Sequence, residues 1–249
     1  MKKINVGSTT LSDQHPSVAV PITGTDEAEI SQQLQLIKAE SVDLIEFRID
    51  YLTDFTAAAL QNGKQQIQAR FPAVPIIATI RTQSEGGKFD DHHDDYLAAL
   101  KQVINVGFSL LDVEISRPGV ADVITIAHQH HQLVIGSFHN FTQTPADQTL
   151  LATWQKMETL GCDVAKMAVM PNINDDVLRF MQVSNQANQT LKVPIISMAM
   201  GKLGIVTRIS GPLTGSVITF GSITNEAQSA PGQITSPQLA AIINIVAPQ

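Results

Sequence analysis

Apolar, β-branched stretches recur at fairly even intervals along the chain, at residues 17–24, 43–51, 75–81, 110–115, 132–141, 163–170, 194–201 and 216–223. The segments between them carry helix signals. Residues 25–38 open with a cap and two acids, Thr25-Asp26-Glu27, and then place Ile30, Leu34 and Ile37 on one face. Pro145, in Thr144-Pro145-Ala146-Asp147, is predicted at a first helical position ahead of Leu150, Leu151 and Trp154. Asn174-Asp175-Asp176 gives a similar polar start to a segment running through Met181. About eight strands alternating with about eight helical segments predict a parallel sheet with crossover helices. A doubly wound open sheet fits that alternation, but the count and the length favour a closed (β/α)8 TIM barrel, an α/β fold.

Polar residues inside the runs sharpen the choice. In residues 44–50, Glu46, Arg48 and Asp50 fall on one face of an extended strand, and Ile45, Phe47 and Ile49 on the other. Asp112 and Glu114 alternate in the same way with Leu111, Val113 and Ile115. Strands covered by helices on both faces are usually apolar throughout. Charges confined to one face therefore fit a barrel whose lumen is polar near its C-terminal mouth. No internal repeat, low-complexity segment or Gly/Pro/Ser-rich linker divides the sequence, so residues 1–249 read as a single domain.

Composition narrows the partners. The 249 residues are enough to bury a large core. A net charge of -7 argues against nucleic acid or an anionic membrane as the main partner. One cysteine, Cys162, admits no intrachain disulfide and fits a reducing cytoplasm. No apolar run reaches the roughly 18 residues that could span a bilayer, and the start at Met1-Lys2-Lys3-Ile4 lacks the apolar stretch of a secretory leader. The expectation is a soluble, cytoplasmic protein.

Two polar residues within apolar runs carry the chemistry. Lys166 lies in residues 163–170, and His139 in residues 133–141, one strand earlier. Burial among apolar neighbours disfavours an ammonium, so the neutral amine becomes a nucleophile. A histidine beside it moves protons near neutral pH. The pair points to a Schiff-base enzyme that needs no metal and no cofactor. Active sites of such barrels lie at the C-terminal ends of the strands, where the sequence also puts Glu46, Arg48, Arg81 and Glu85. Arginines there suit a carboxylate or a hydroxyl-rich ligand.

In this order and register the motifs resemble the type I 3-dehydroquinate dehydratase family over nearly the whole chain, roughly residues 18–234. The matching segments are Glu46-Phe47-Arg48, the loop from Arg81 to Gly87 with Glu85, and Asp112-Val113-Glu114-Ile115. Then follow residues 134–140 with His139, residues 166–171 with Lys166, and residues 197–200. Thr207-Arg208, Thr219-Phe220-Gly221 and residues 229–233 complete the series. The resemblance implies a Schiff base between Lys166 and 3-dehydroquinate, with His139 as general base and acid and Glu85 orienting it. It also implies that Arg208 takes the substrate carboxylate, and that Glu46, Arg48, Arg81, Ser229 and Gln233 hold hydroxyls and carboxylate oxygens. Met198, Met200 and Phe220 would wall the site, residues 227–233 would close over substrate, and the protein would be a homodimer.

The sequence departs from the family pattern at Phe138 and Asn140 beside the histidine and at Pro21 on the first strand; none of these removes a reacting group. Structural roles compete at several positions. Lys166 alone could reach solvent from a strand end, and Glu46, Arg48 and Asp50 could form a lumen network without ligand, Asp50 above all. Glu114 fits a supporting role as well as one near the lysine. Residues 90–95, Asp-Asp-His-His-Asp-Asp, read as the start of a helix, and residues 128–131, His-Gln-His-His, as the end of one. Residues 201–204 read as a turn and Cys162 as an inert thiol. Two other functions fit a lysine barrel: a class I aldolase or transaldolase, and a non-catalytic binder of small acids. The loop around Glu85 and the segment 229–233 disfavour the first, and the conjunction of Lys166, His139 and Glu85 disfavours the second.

Overall fold

The chain opens with a hairpin that the apolar runs did not predict. Strand β1 (Lys3–Val6) pairs antiparallel with β2 (Thr9–Ser12) around Gly7, whose φ of +59° is a conformation glycine adopts without penalty. The computed structural model describes residues 1–90, 93–225 and 229–247, with no side-chain description at residues 93 and 94.

Each predicted run contains a strand: β3 (Ser17–Ile22), β4 (Leu44–Arg48), β5 (Ile76–Thr79), β6 (Leu110–Glu114), β7 (Leu133–Asn140), β8 (Val164–Val169), β9 (Ile195–Ala199) and β10 (Ile218–Phe220). They pair in parallel in the order β10-β3-β4-β5-β6-β7-β8-β9. The ring closes where the Val217 amide donates to the Ile195 carbonyl at 2.9 Å. The result is the (β/α)8 barrel the sequence predicts, in one domain.

The outer layer consists of α1 (Glu27–Leu36), α2 (Ala57–Arg70), α3 (His93–Val106), α4 (Val120–Gln129), α5 (Asp147–Thr159), α6 (Asn174–Thr190), α7 (Ile205–Ile209), α8 (Gly211–Thr214) and α9 (Ser236–Val246). In α1 the Asp26 side chain caps the Glu29 amide at 2.9 Å, while Ile30 and Leu34 are buried. Pro145 does not begin α5 as predicted. An extended Ala146 intervenes, and Arg179 of α6 takes the Thr144 and Pro145 carbonyls at 3.2 and 2.7 Å. Among the described residues no helix is long and apolar enough to cross a membrane.

Strand alternation divides the core in two. Ile45, Phe47, Leu111, Val113, Val134, Ala165, Met167 and Val169 face outward against the helices. Leu44, Ile77, Leu110, Ile135, Val164, Ile196 and Ile218 fill the lumen near the strand starts, where Val6 and Leu11 of the N-terminal hairpin join them. With its floor packed by apolar side chains, the lumen can carry polar groups only further up, toward the C-terminal mouth.

Candidate active site

The next inward-facing positions above that floor are charged. Glu46 of β4, Asp112 of β6 and Lys166 of β8 are all nearly inaccessible. Lys166 Nζ lies 2.9 Å from Asp112 Oδ2 and 3.4 Å from Glu46 Oε1, and 4.6 Å from the centroid of the Phe220 ring. The purely apolar setting predicted for this amine is therefore corrected. Its chain neighbours Ala165 and Met167 face the helices, while the amine itself stands between two carboxylates.

Asp112 is the residue that sequence reasoning left out of the site. Its Oδ1 accepts from Arg81 Nη2 at 2.7 Å and from the Ser137 hydroxyl at 2.5 Å, while Oδ2 takes the lysine. Burial alone would raise its pKa, but Arg81 and Lys166 more than offset this and hold the carboxyl well below the usual range. Its signal was present in the sequence, an acid on the lumen face of a strand, one strand removed from the lysine strand. Arg81 also reaches Glu114 Oε1 and Ser137 Oγ, each at 3.0 Å, and Glu85 Oε2 at 3.6 Å. Its guanidinium is thus engaged with three carboxylates, Asp112, Glu114 and Glu85.

The loop after β5 brings Glu85 to His139. Residues Gln83–Glu85 form a single 3-10 turn ending at Gly86, whose φ is +84°. A side chain there would strike the Phe141 ring, so glycine answers both the backbone conformation and the close approach. Glu85 Oε2 lies 2.9 Å from His139 Nδ1 and also accepts the His139 amide at 3.0 Å, and Oε1 accepts from Ser116 Oγ at 2.9 Å. Burial, then the charge of Glu114, raises the Glu85 carboxyl to about 8, against the pull of Arg81. Burial, reinforced by Arg81 and Lys166, holds His139 well below its ordinary pKa. Both directions favour a neutral imidazole. With Nδ1 engaged by Glu85, Nε2 is the nitrogen left for a ligand.

Arg208 of α7 supplies a different kind of cation. It is buried, and its Nη1 and Nη2 donate to the Phe220 and Pro231 carbonyls, at 3.3 and 3.1 Å, with the Met198 sulfur 4.0 Å from Nη1. Nε has no partner among the described residues, and burial pulls the guanidinium down to about 10. A buried cation beside neutral acceptors is a place for an anion. Ser229 and Gln233 bond each other, amide to Oε1 at 2.9 Å and Nε2 to Oγ at 3.1 Å.

These elements border one cavity, which all nine predicted site residues line: Glu46, Arg48, Arg81, Glu85, His139, Lys166, Arg208, Ser229 and Gln233. Met198, Met200 and Phe220 also line it, as predicted. Outside it, His128 pairs with Asp163 at 2.9 Å, and residues 201–204 form a turn. Cys162 is buried, its thiol pushed up to about 12 by burial and the charge of Asp163. Of the acid and histidine run at residues 90–95, positions 91 and 92 and the side chains of 93 and 94 lie outside the described residues. Residues 227 and 228 of the expected closing segment do as well.

The type I 3-dehydroquinase family model matches residues 18–248. Among relatives, the 3-dehydroquinate dehydratase of Lactiplantibacillus plantarum is 37% identical over 243 residues, covering 96% of this chain and 94% of that protein. The type I 3-dehydroquinate dehydratase of Clostridium difficile, solved with covalently modified comenic acid, superposes with a TM-score of 0.92 at 30% identity. That match covers 99% of this chain and 98% of the other. The 3-dehydroquinate dehydratase of Geobacillus kaustophilus gives a TM-score of 0.92 at 30% identity, over 98% and 96% of the two chains.

Proposed function

Because the chain belongs to the type I 3-dehydroquinase family and is a hydro-lyase of that class, we propose that it eliminates water from 3-dehydroquinate through an imine on Lys166. The observation that carries this reading is that Lys166 lines the same cavity as the His139–Glu85 pair. The covalently modified comenic acid of the Clostridium difficile relative supports a covalent step.

The steps balance as follows. Lys166, as the free amine, adds to the C3 ketone, and loss of water with uptake of one proton from solvent leaves an iminium. Asp112, held ionised 2.9 Å from Nζ, stabilises that positive charge. The iminium withdraws electrons from C2, whose proton passes to His139 Nε2, giving an enamine. The enamine expels the C1 hydroxyl, which takes the proton from His139 and departs as water. A second water hydrolyses the conjugated iminium, releasing 3-dehydroshikimate, returning the proton to solvent and restoring the amine. One water is consumed and two are released, so the net reaction is a single dehydration. Glu85 holds His139 by Nδ1, so that its other nitrogen faces C2. Arg208 binds the carboxylate, while Arg48, Glu46, Ser229 and Gln233 hold hydroxyls. Arg81, at the cavity wall, keeps Asp112, Glu114 and Glu85 gathered. The single cysteine and the acidic charge support a cytoplasmic setting, and the family resemblance supports a homodimer.

Incubation of the purified protein with 3-dehydroquinate should produce the ultraviolet absorbance of a conjugated enone. Absence of that band at high enzyme concentration would sink the reading. An aldolase would instead release two fragments, and a non-catalytic binder would return the ligand unchanged.

Two variants probe the pieces. Arg208→Lys keeps a charge but loses the planar fork, so KM should rise about tenfold or more, with a smaller effect on kcat. Equal losses in kcat and kcat/KM at unchanged KM would assign Arg208 to the chemistry instead. Once Glu85 is protonated its carboxyl donates to Nδ1 and the neutral imidazole carries its proton on Nε2, where it cannot act as a base, so kcat/KM of the wild type should climb with pH up to the region of about 8 where Glu85 titrates. Glu85→Gln deletes the group that titrates there and leaves His139, whose own pKa is held low by burial. The acid limb should then move down by about one unit or more while kcat falls. A limb that stays in place contradicts the pairing.

A further inference from the structure

Asp50 does not occupy the strand position that alternation predicts. β4 ends at Arg48, with φ -81° and ψ 81°, and Ile49–Tyr51 form a single 3-10 turn. The turn takes Asp50 off the strand and lets its carboxylate meet Arg48 side on. Oδ1 accepts from Nε at 2.8 Å and Oδ2 from Nη2 at 2.8 Å, a forked pair whose carboxylate is fully buried. Nη1 is left uncommitted among the described residues, on an arginine that lines the cavity.

The same Oδ2 has a second duty. It accepts the backbone amide of Lys88 at 3.1 Å, and Lys88 closes the loop that carries Glu85. The loop is drawn together by Gly87 N–H to Thr82 O at 2.8 Å, Gln83 N–H to Phe89 O at 2.9 Å, and Phe89 N–H to Arg81 O at 3.1 Å. At its start Glu114 accepts the Thr82 amide at 2.9 Å and hydroxyl at 2.7 Å. The two ends of the loop therefore rest on two buried carboxylates, each of which also holds an arginine of the cavity: Glu114 holds Arg81, and Asp50 holds Arg48.

We infer that Asp50 is a positioning residue that ties Arg48 to the loop holding Glu85 against His139. The inference rests on the roles proposed above for Arg48, Glu85 and His139. Substrate oxygens that engage Arg48 act, through one carboxylate, on the element that aligns the base. A forked pair fixes the guanidinium plane as no single bond would. Groups that hold reacting residues in place contribute to rate without touching substrate.

Asparagine at position 50 offers one acceptor oxygen and turns an amide donor on either Arg48 or the Lys88 amide. Asp50→Asn should therefore raise KM and lower kcat, each about tenfold. It should also move the acid limb of the pH profile to lower pH, as Glu85→Gln does. Because Asp50→Asn leaves a buried guanidinium unpaired, the cycle is completed with Arg48→Met and the double variant, which buries no lone charge. In the Arg48→Met background, Asp50→Asn should add no further loss in KM yet still lower kcat and shift the limb. Wild-type KM, kcat and limb in Asp50→Asn would overturn the inference. So would a double variant matching Arg48→Met in kcat and limb, even with a lower Tm. Borohydride trapping on the wild type separates the parent reading: an adduct at Lys166 with unaltered Asp50→Asn kinetics removes only the role of Asp50. Absence of any adduct removes the imine, while the KM and pH readouts still decide for or against Asp50.

Discussion

Replacing Lys166 by alanine is expected to abolish turnover, lowering kcat by on the order of 10⁵-fold or more, the scale on which loss of a covalent nucleophile costs an enzyme. No other amine is available as a substitute: among the described residues, Lys166 is the one lysine lining the cavity. The substrate should still bind, because Arg208 and Arg48 remain. The fold should also survive. Asp112 retains Arg81 at 2.7 Å and Ser137, and Glu46 retains the Thr79 hydroxyl at 3.1 Å, so neither carboxylate is stripped of every partner. Substrate binding by calorimetry with no turnover is the expected combination. Substantial turnover in Lys166→Ala would place the chemistry elsewhere.

His139→Asn is expected to lower kcat by about 10²–10⁴-fold, the usual worth of general acid–base catalysis, or roughly 3–5 kcal/mol of barrier. The defect differs from that of the lysine variant. An imine can still form on Lys166, but C2 keeps its proton, so the covalent complex should accumulate and become easier to trap than in the wild type. Rapid quenching during turnover reads that accumulation. A His139→Asn variant that is slow and yet holds no more covalent complex than the wild type would mean that His139 acts before the imine rather than after it.

Most of the barrel was legible from the sequence because its signal is local. Eight apolar runs, two of them with acids on one face only, encode strands that bury one face against helices and turn the other into a lumen. The hairpin at residues 3–12 escaped because its strands are short and mostly exposed, with only Val6 and Leu11 buried to betray them. Asp50 was placed on a strand face because alternation continues by default, and the 3-10 turn that ends β4 leaves no mark in the alternation of residues 44–50. Lys166 and His139 stood out as polar residues in apolar runs, but what surrounds the lysine depends on pairing across the barrel. Asp112 and Glu46 reach it from residues 54 and 120 positions away in sequence. For the same reason Arg81 was legible as a cavity residue, whereas its engagement with three carboxylates was not.

Reduction with borohydride in the presence of 3-dehydroquinate, followed by intact-mass spectrometry and peptide mapping, tests the imine most directly. The wild type should gain the mass of one reduced ligand adduct, carried by the peptide containing Lys166, and Lys166→Ala should gain none. Continued consumption of 3-dehydroquinate with no adduct, or an adduct on any other residue, would contradict covalent catalysis at Lys166.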